Sequence, residues 1–117
     1  MSADTYTLTV VPDPSLSMTV RMFAAEAARN LGLDDSDVED LRLLATELLG
    51  NALETGGASL ELTLSSEAGG WCLRALGAGP LEVAAGHVVD RRDVLTGLAD
   101  VRVATDGSLE LRPTGRS

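Results

Sequence analysis

The sequence predicts an α+β two-layer sandwich: a mixed, mostly antiparallel sheet of about five strands, covered on one face by helices. Three features point to it. A strictly alternating segment opens the chain, two consecutive amphipathic helical patterns come next, and the second half returns to short alternating segments separated by glycine turns.

Each element has its own signal. From Thr5 to Val11, Tyr6, Leu8 and Val10 point one way and Thr5, Thr7 and Thr9 the other, the pattern of a half-buried strand. Pro12-Asp13-Pro14 stops it, with Asp13 placed to cap a helix whose first position is Pro14. Val20, Phe23, Ala24, Ala27 and Leu31 then keep the spacing of one helix face, and Gly32 ends the helix. Ser36 and Glu39 read as a capping box for a second helix, to which Asp34, Asp35 and Asp37 add charge that suits its dipole. Its apolar face is Val38, Leu41, Leu44, Ala45, Leu48, Leu49 and Ala52, and its expected end is near Thr55, before Gly56-Gly57.

Ser59–Ser65 alternates again, with Leu60, Leu62 and Leu64 inward. After a turn at Ala68-Gly69-Gly70, Trp71–Leu76 forms the next strand, with Trp71, Leu73 and Ala75 on one face. Gly77-Ala78-Gly79-Pro80 breaks that strand. Leu81–Val89 reads as loop and Arg91–Asp100 as a short helix. Val101–Thr105 and Ser108–Arg112 are the last strands. A three-residue loop, Thr105-Asp106-Gly107, pairs Val103 with Leu109 and Val101 with Leu111, keeping like residues on one face, and puts Gly107 where a left-handed residue is wanted. Residues 1–117 are expected to form one domain, with a frayed tail from Thr114.

Composition narrows the function. A hydrophobic fraction of 44% and mean hydropathy of +0.13 indicate a globular chain, whose core must be built from Leu, Val and Ala because only Tyr6, Phe23 and Trp71 are aromatic. Eighteen acids against nine bases leave a net charge of −9. Such a chain repels phosphate backbones and anionic lipids, so nucleic acid and membrane surfaces are poor partners and a protein with a basic patch is a better one. Cys72 is the sole cysteine, which rules out an internal disulfide and suits a reducing compartment; in a strand it reads as a small core residue. The first residues do not read as a signal peptide, and no apolar run approaches the ~20 residues of a spanning helix. His87 has no second His or Cys near it and reads as a loop residue, and Arg91-Arg92 as a solvated helix start.

Glu47 and Asn51 stand out chemically. Four apart in the second helix, they project from one face one turn apart. A carboxylate beside a carboxamide can polarise a water and hold a hard cation such as Mg2+. From the residues alone, the pair reads first as two polar positions on the solvated side of an amphipathic helix, as Asp40 and Glu54 also do.

The stretch from Val20 through Asn51, VRMFAAEAARNLGLDDSDVEDLRLLATELLGN, resembles the anti-sigma-factor serine kinases of bacterial partner-switching systems. These belong to the GHKL ATPase superfamily, of Bergerat-like fold, shared with histidine kinases. The resemblance continues more weakly to about Arg112, through GLADVRVATDGSLELR. It implies that Glu47 matches the general base and Asn51 the Mg2+ ligand of phosphoryl transfer. It also implies that Gly77 and Gly79 stand in the adenine loop, which in the family reads Asp-x-Gly-x-Gly. The Asp slot here holds Gly77 or Ala75, depending on which glycine is aligned, and neither side chain can accept a hydrogen bond from adenine. The two glycine slots of the phosphate loop fall on Val89 and Arg91, where side chains obstruct the backbone cradle. The resemblance thus implies a degenerate, vestigial site with no resident cofactor, or Mg-ATP if the kinase activity is kept. It further implies a cytoplasmic regulator acting by protein–protein binding, whose partner is a sigma factor, a STAS-type antagonist or a second copy of itself as a homodimer.

Overall fold

The computed structural model describes residues 5–68, 70–79 and 97–114. The expected loop over Leu81–Val89, most of the expected helix from Arg91, His87, and the slots at Val89 and Arg91 lie outside the described residues.

The first strand, β1, is Thr5–Val10. Asp13 acts as a cap, accepting from the backbone N–H of Ser15 at 2.8 Å and its hydroxyl at 2.7 Å. Those bonds hold the Asp13 carboxyl below the usual carboxylate range. The capped element is a single 3-10 turn, Pro14–Leu16, and the α-helix proper, α1, runs Ser17–Asn30. It ends as expected at Gly32 (φ +79°), where the N–H groups of Gly32 and Leu33 reach back to the carbonyls of Arg29 and Ala28 in a Schellman arrangement.

The second helix, α2, spans Asp35–Glu54, and its cap corrects the sequence reading. Asp34, in extended conformation, accepts from the N–H of Asp37 at 2.9 Å, so Ser36 and Glu39 sit inside the helix and form no capping box. Glu39 instead pairs with Arg42 at 2.9 Å along the exposed face. The C-terminus repeats the α1 solution, with Gly56 at φ +72°.

The remaining strands are β2 (Leu60–Glu67), β3 (Gly70–Leu76), β4 (Ala99–Val103) and β5 (Leu109–Pro113). The sheet order is β1-β2-β3-β5-β4, and among the described residues every pairing is antiparallel, where a mixed, mostly antiparallel sheet was expected. The expected last helix ends at Leu98: Ala99 and Asp100 already belong to β4, with Asp100 opposite Arg112. The β4–β5 hairpin has the register read from sequence, Val101 opposite Leu111 and Val103 opposite Leu109. Gly107 takes φ +88°, and its N–H bonds to the carbonyl of Ala104 at 2.9 Å. Asp106 tightens the turn by accepting from the hydroxyl and N–H of Ser108 at 2.6 and 2.9 Å, which lowers its carboxyl below the usual range.

The two helices pack on one face of the sheet. All seven predicted apolar positions of α2 are buried, as are Val20, Ala24, Ala27, Leu60, Leu62, Leu64, Trp71, Leu73 and Ala75, while Phe23 and Leu31 are half-buried against them. The alanines of α1 let it lie close along α2, so small side chains supply the interdigitation that aromatics do not. Cys72 is buried, as expected of a small core residue, on the face opposite the helix-side core. There it lies close to Arg112, which bonds Glu67 at 2.6 Å and Glu110 at 3.3 Å. Burial pushes the thiol above its ordinary range, and the two carboxylates raise that of Arg112. No helix among the described residues is long and apolar enough to cross a membrane.

Candidate functional site

The candidate site lies where the C-terminal turns of α2 meet the chain leaving β3. Glu47 and Asn51 are on the same helix face, as their spacing requires. Glu47 is half-buried. Asn51 is only 4% exposed, so the solvated-face reading fails for it.

The Asn51 carboxamide is bonded to backbone. Its Nδ2 donates to the carbonyl of Ala78 at 2.7 Å and reaches that of Gly79 at 3.3 Å. Ala78 is itself buried. The Thr55 hydroxyl sits beside these groups, donating to the Asn51 carbonyl at 2.9 Å, one turn back on the same helix. A side-chain amide thus closes the segment after β3 onto the helix end, where free carbonyls would otherwise need other donors.

The glycines make that closure sterically possible. Gly77 and Gly79 have φ of +90° and +85°. A Cβ on Gly77 would strike the carbonyl of Ser59, and one on Gly79 the Thr55 side chain. A Cβ on Gly57 would lie 2.8 Å from the Gly77 carbonyl, so the helix C-cap and the β3 exit approach through glycine on both sides. The residues implied as an adenine loop therefore form a tight turn seated on α2.

A further contact joins the other end of α2 to the same strand. The Trp71 indole N–H donates to the Asp37 carboxylate at 3.3 Å. Nothing in the spacing pointed to this pair; the only cue was an indole N–H on a buried strand face, which requires an acceptor.

Asn51 is buried and its amide nitrogen faces two backbone carbonyls, whereas a hard cation would take the amide oxygen. No group of three or more His, Cys, Asp or Glu side chains among the described residues could hold a metal. No purine acceptor stands at Ala75 or Gly77.

No family model matches the chain, and no curated protein matches it in sequence.

Proposed function

We propose that the chain is a degenerate GHKL-type module of the anti-sigma kind, a bacterial transcription regulator that works by binding another protein and handles no nucleotide. The element order, with two consecutive helices between β1 and β2 on one face of an antiparallel sheet, supports the fold assignment. The observation that carries the functional reading is the bond from Asn51 Nδ2 to the Ala78 carbonyl. The side chain that the resemblance gives to Mg2+ here anchors the protein's own backbone through its amide nitrogen. In this reading Glu47 is a vestigial general base. A net charge of −9 steers association towards a basic surface, and a sigma factor or a STAS-type antagonist in the cytoplasm is the partner class the resemblance implies.

The test is a melting curve with and without Mg-ATP, paired with co-expression against candidate partners. The expected results are an unchanged Tm at millimolar nucleotide and recovery of a basic protein partner. A ligand at 100 times its Kd adds about 2.7 kcal/mol to stability. An upward shift of that order, abolished by Asn51→Ala, would instead establish the kinase reading, in which the chain phosphorylates an antagonist protein with Glu47 as base.

A further inference from the structure

We propose that a hollow between the β4–β5 turn and the outer face of the sheet seats an arginine side chain of a partner protein. The inference rests on the protein-docking reading above and gives that reading a surface.

The strand registers put Thr7, Thr63, Arg74, Glu110 and Arg102 in one row across all five strands, on the face away from the helices. Among the described residues both helices lie on the other face and no element covers this one. Much of the face is matched within itself. Arg112 is held by Glu67 and Glu110. A broad hollow at the β4 side, of about 500 Å3, is lined by Asp100 and Glu110 with Arg102 and Arg112, so it carries no surplus charge.

A second, smaller hollow differs. It encloses about 160 Å3 and is lined by Glu61, Thr63, Arg74, Leu76, Asp106 and Ser108. Its form follows from the fold. The β4–β5 chain turns tightly at Gly107, and Asp106 comes back over the face to reach Arg74 Nη2 at 3.3 Å. In the sheet, β3 lies between β2 and β5, so Arg74 and Leu76 are the floor, with Glu61 on one side and the turn on the other.

Three features match an arginine. The first is charge. Arg74 is shared between Asp106 and, at 3.8 Å, Glu110, while Glu61 accepts a long bond of 3.5 Å from the Thr9 hydroxyl. The lining therefore holds two acids against one base. The bonds from Ser108 keep the Asp106 carboxylate ionised. The second is the floor. Leu76 is 47% exposed on an otherwise polar face, a surface that an aliphatic stem covers while its charged head reaches the carboxylates. The third is size. The hollow is smaller than the ~300 Å3 at which drug-sized ligand sites begin, so it takes a single side chain. A guanidinium serves acceptors on two sides better than an ammonium, because it is planar, weakly hydrated and carries donors along several edges.

The experiment titrates the isotope-labelled full chain with a blocked tripeptide that has arginine at its centre, and follows the backbone amide resonances. Millimolar peptide is expected to give saturable shifts at Thr63, Leu76 and Ser108. The same peptide with citrulline, which keeps the shape and loses the charge, or with glutamate, is expected to give none. Glu61→Gln combined with Asp106→Asn should weaken binding about ten-fold, the product of two exposed ion pairs. The carboxamide at position 106 still accepts from Ser108, so the turn is kept. Asp35→Asn combined with Glu39→Gln, which removes the same charge from α2, should bind as wild type does. No saturable shift, an equal response to citrulline, a response of the same amides to glutamate, shifts centred on the acidic start of α2, or a Glu61/Asp106 double variant that binds like wild type overturns the proposal. The two failures are separable. A basic protein still recovered on co-expression would then dock elsewhere on the domain, whereas recovery of no partner fails the proposed function and leaves the peptide result as measured.

Discussion

Replacing Asn51 by Ala separates a structural clasp from a ligand. In the folded protein its Nδ2 satisfies the carbonyl of Ala78, a residue 2% exposed, and approaches that of Gly79. Truncation leaves a buried acceptor without this donor, which costs about 1–3 kcal/mol. The void left by the carboxamide adds about 1 kcal/mol, and the better helix propensity of Ala returns about 0.6 kcal/mol. The Thr55 hydroxyl, 3.5 Å from the same oxygen and already donating at 2.9 Å elsewhere, is a poor replacement. The net expectation is a loss of about 2–3 kcal/mol, or about 10 °C in Tm for a domain of this size. Urea unfolding measured through Trp71, the single and fully buried tryptophan, reads it directly. Asn51→Asp sharpens the test, because a carboxylate faces the carbonyl oxygens with no proton to donate. It should be less stable than Asn51→Ala at neutral pH and recover on acidification, when the carboxyl protonates. A residue kept for metal binding would be dispensable in the absence of metal. An Asn51→Ala midpoint equal to wild type, without nucleotide, would refute the clasp.

The geometry fixes three more outcomes. Gly77→Ala should destabilise by at least ~2 kcal/mol in the same urea assay, since it combines a positive φ with a Cβ that meets backbone at Ser59. Asp34→Ala should cost about 1 kcal/mol of thermal stability as a lost helix cap, whereas Ser36→Ala, within the first turn of α2, should be nearly neutral. Asp106 has its carboxyl lowered by Ser108, so its contribution is present above the ordinary carboxylate pKa of about 3.9 and is lost as pH falls through the lower folded value. The Tm advantage of wild type over Asp106→Ala should therefore hold at pH 7 and vanish in strong acid.

Periodicity carries the elements because burial on one side of a helix or strand leaves a spacing in the sequence. The α2 face from Val38 to Ala52 and the Val101–Leu111 register are legible for that reason. The α2 cap is not, because Asp34, Asp35, Ser36 and Asp37 are all capping residues, and only the backbone angle at Asp34 selects among them. Alternation puts Cys72 on the outer face of its strand, but says nothing of an arginine from β5 folding over that face. At the site, the Glu47–Asn51 spacing is visible, but the partner of Asn51 is not. It is a backbone carbonyl 27 residues away, and no side chain announces it. Gly77 and Gly79 announce a turn without saying what it sits on.

Two long-range bonds to α2 lie near its opposite ends, Asp37 to Trp71 in the first turn and Asn51 to Ala78 in the last. A rod latched at both ends to one strand and its exit turn cannot ratchet axially, because a one-turn slip of about 5.4 Å would break both latches at once. A binding event that reshapes this domain must therefore act by tilting α1 or by prising open one latch, and α2 itself serves as the fixed beam against which such movement is measured.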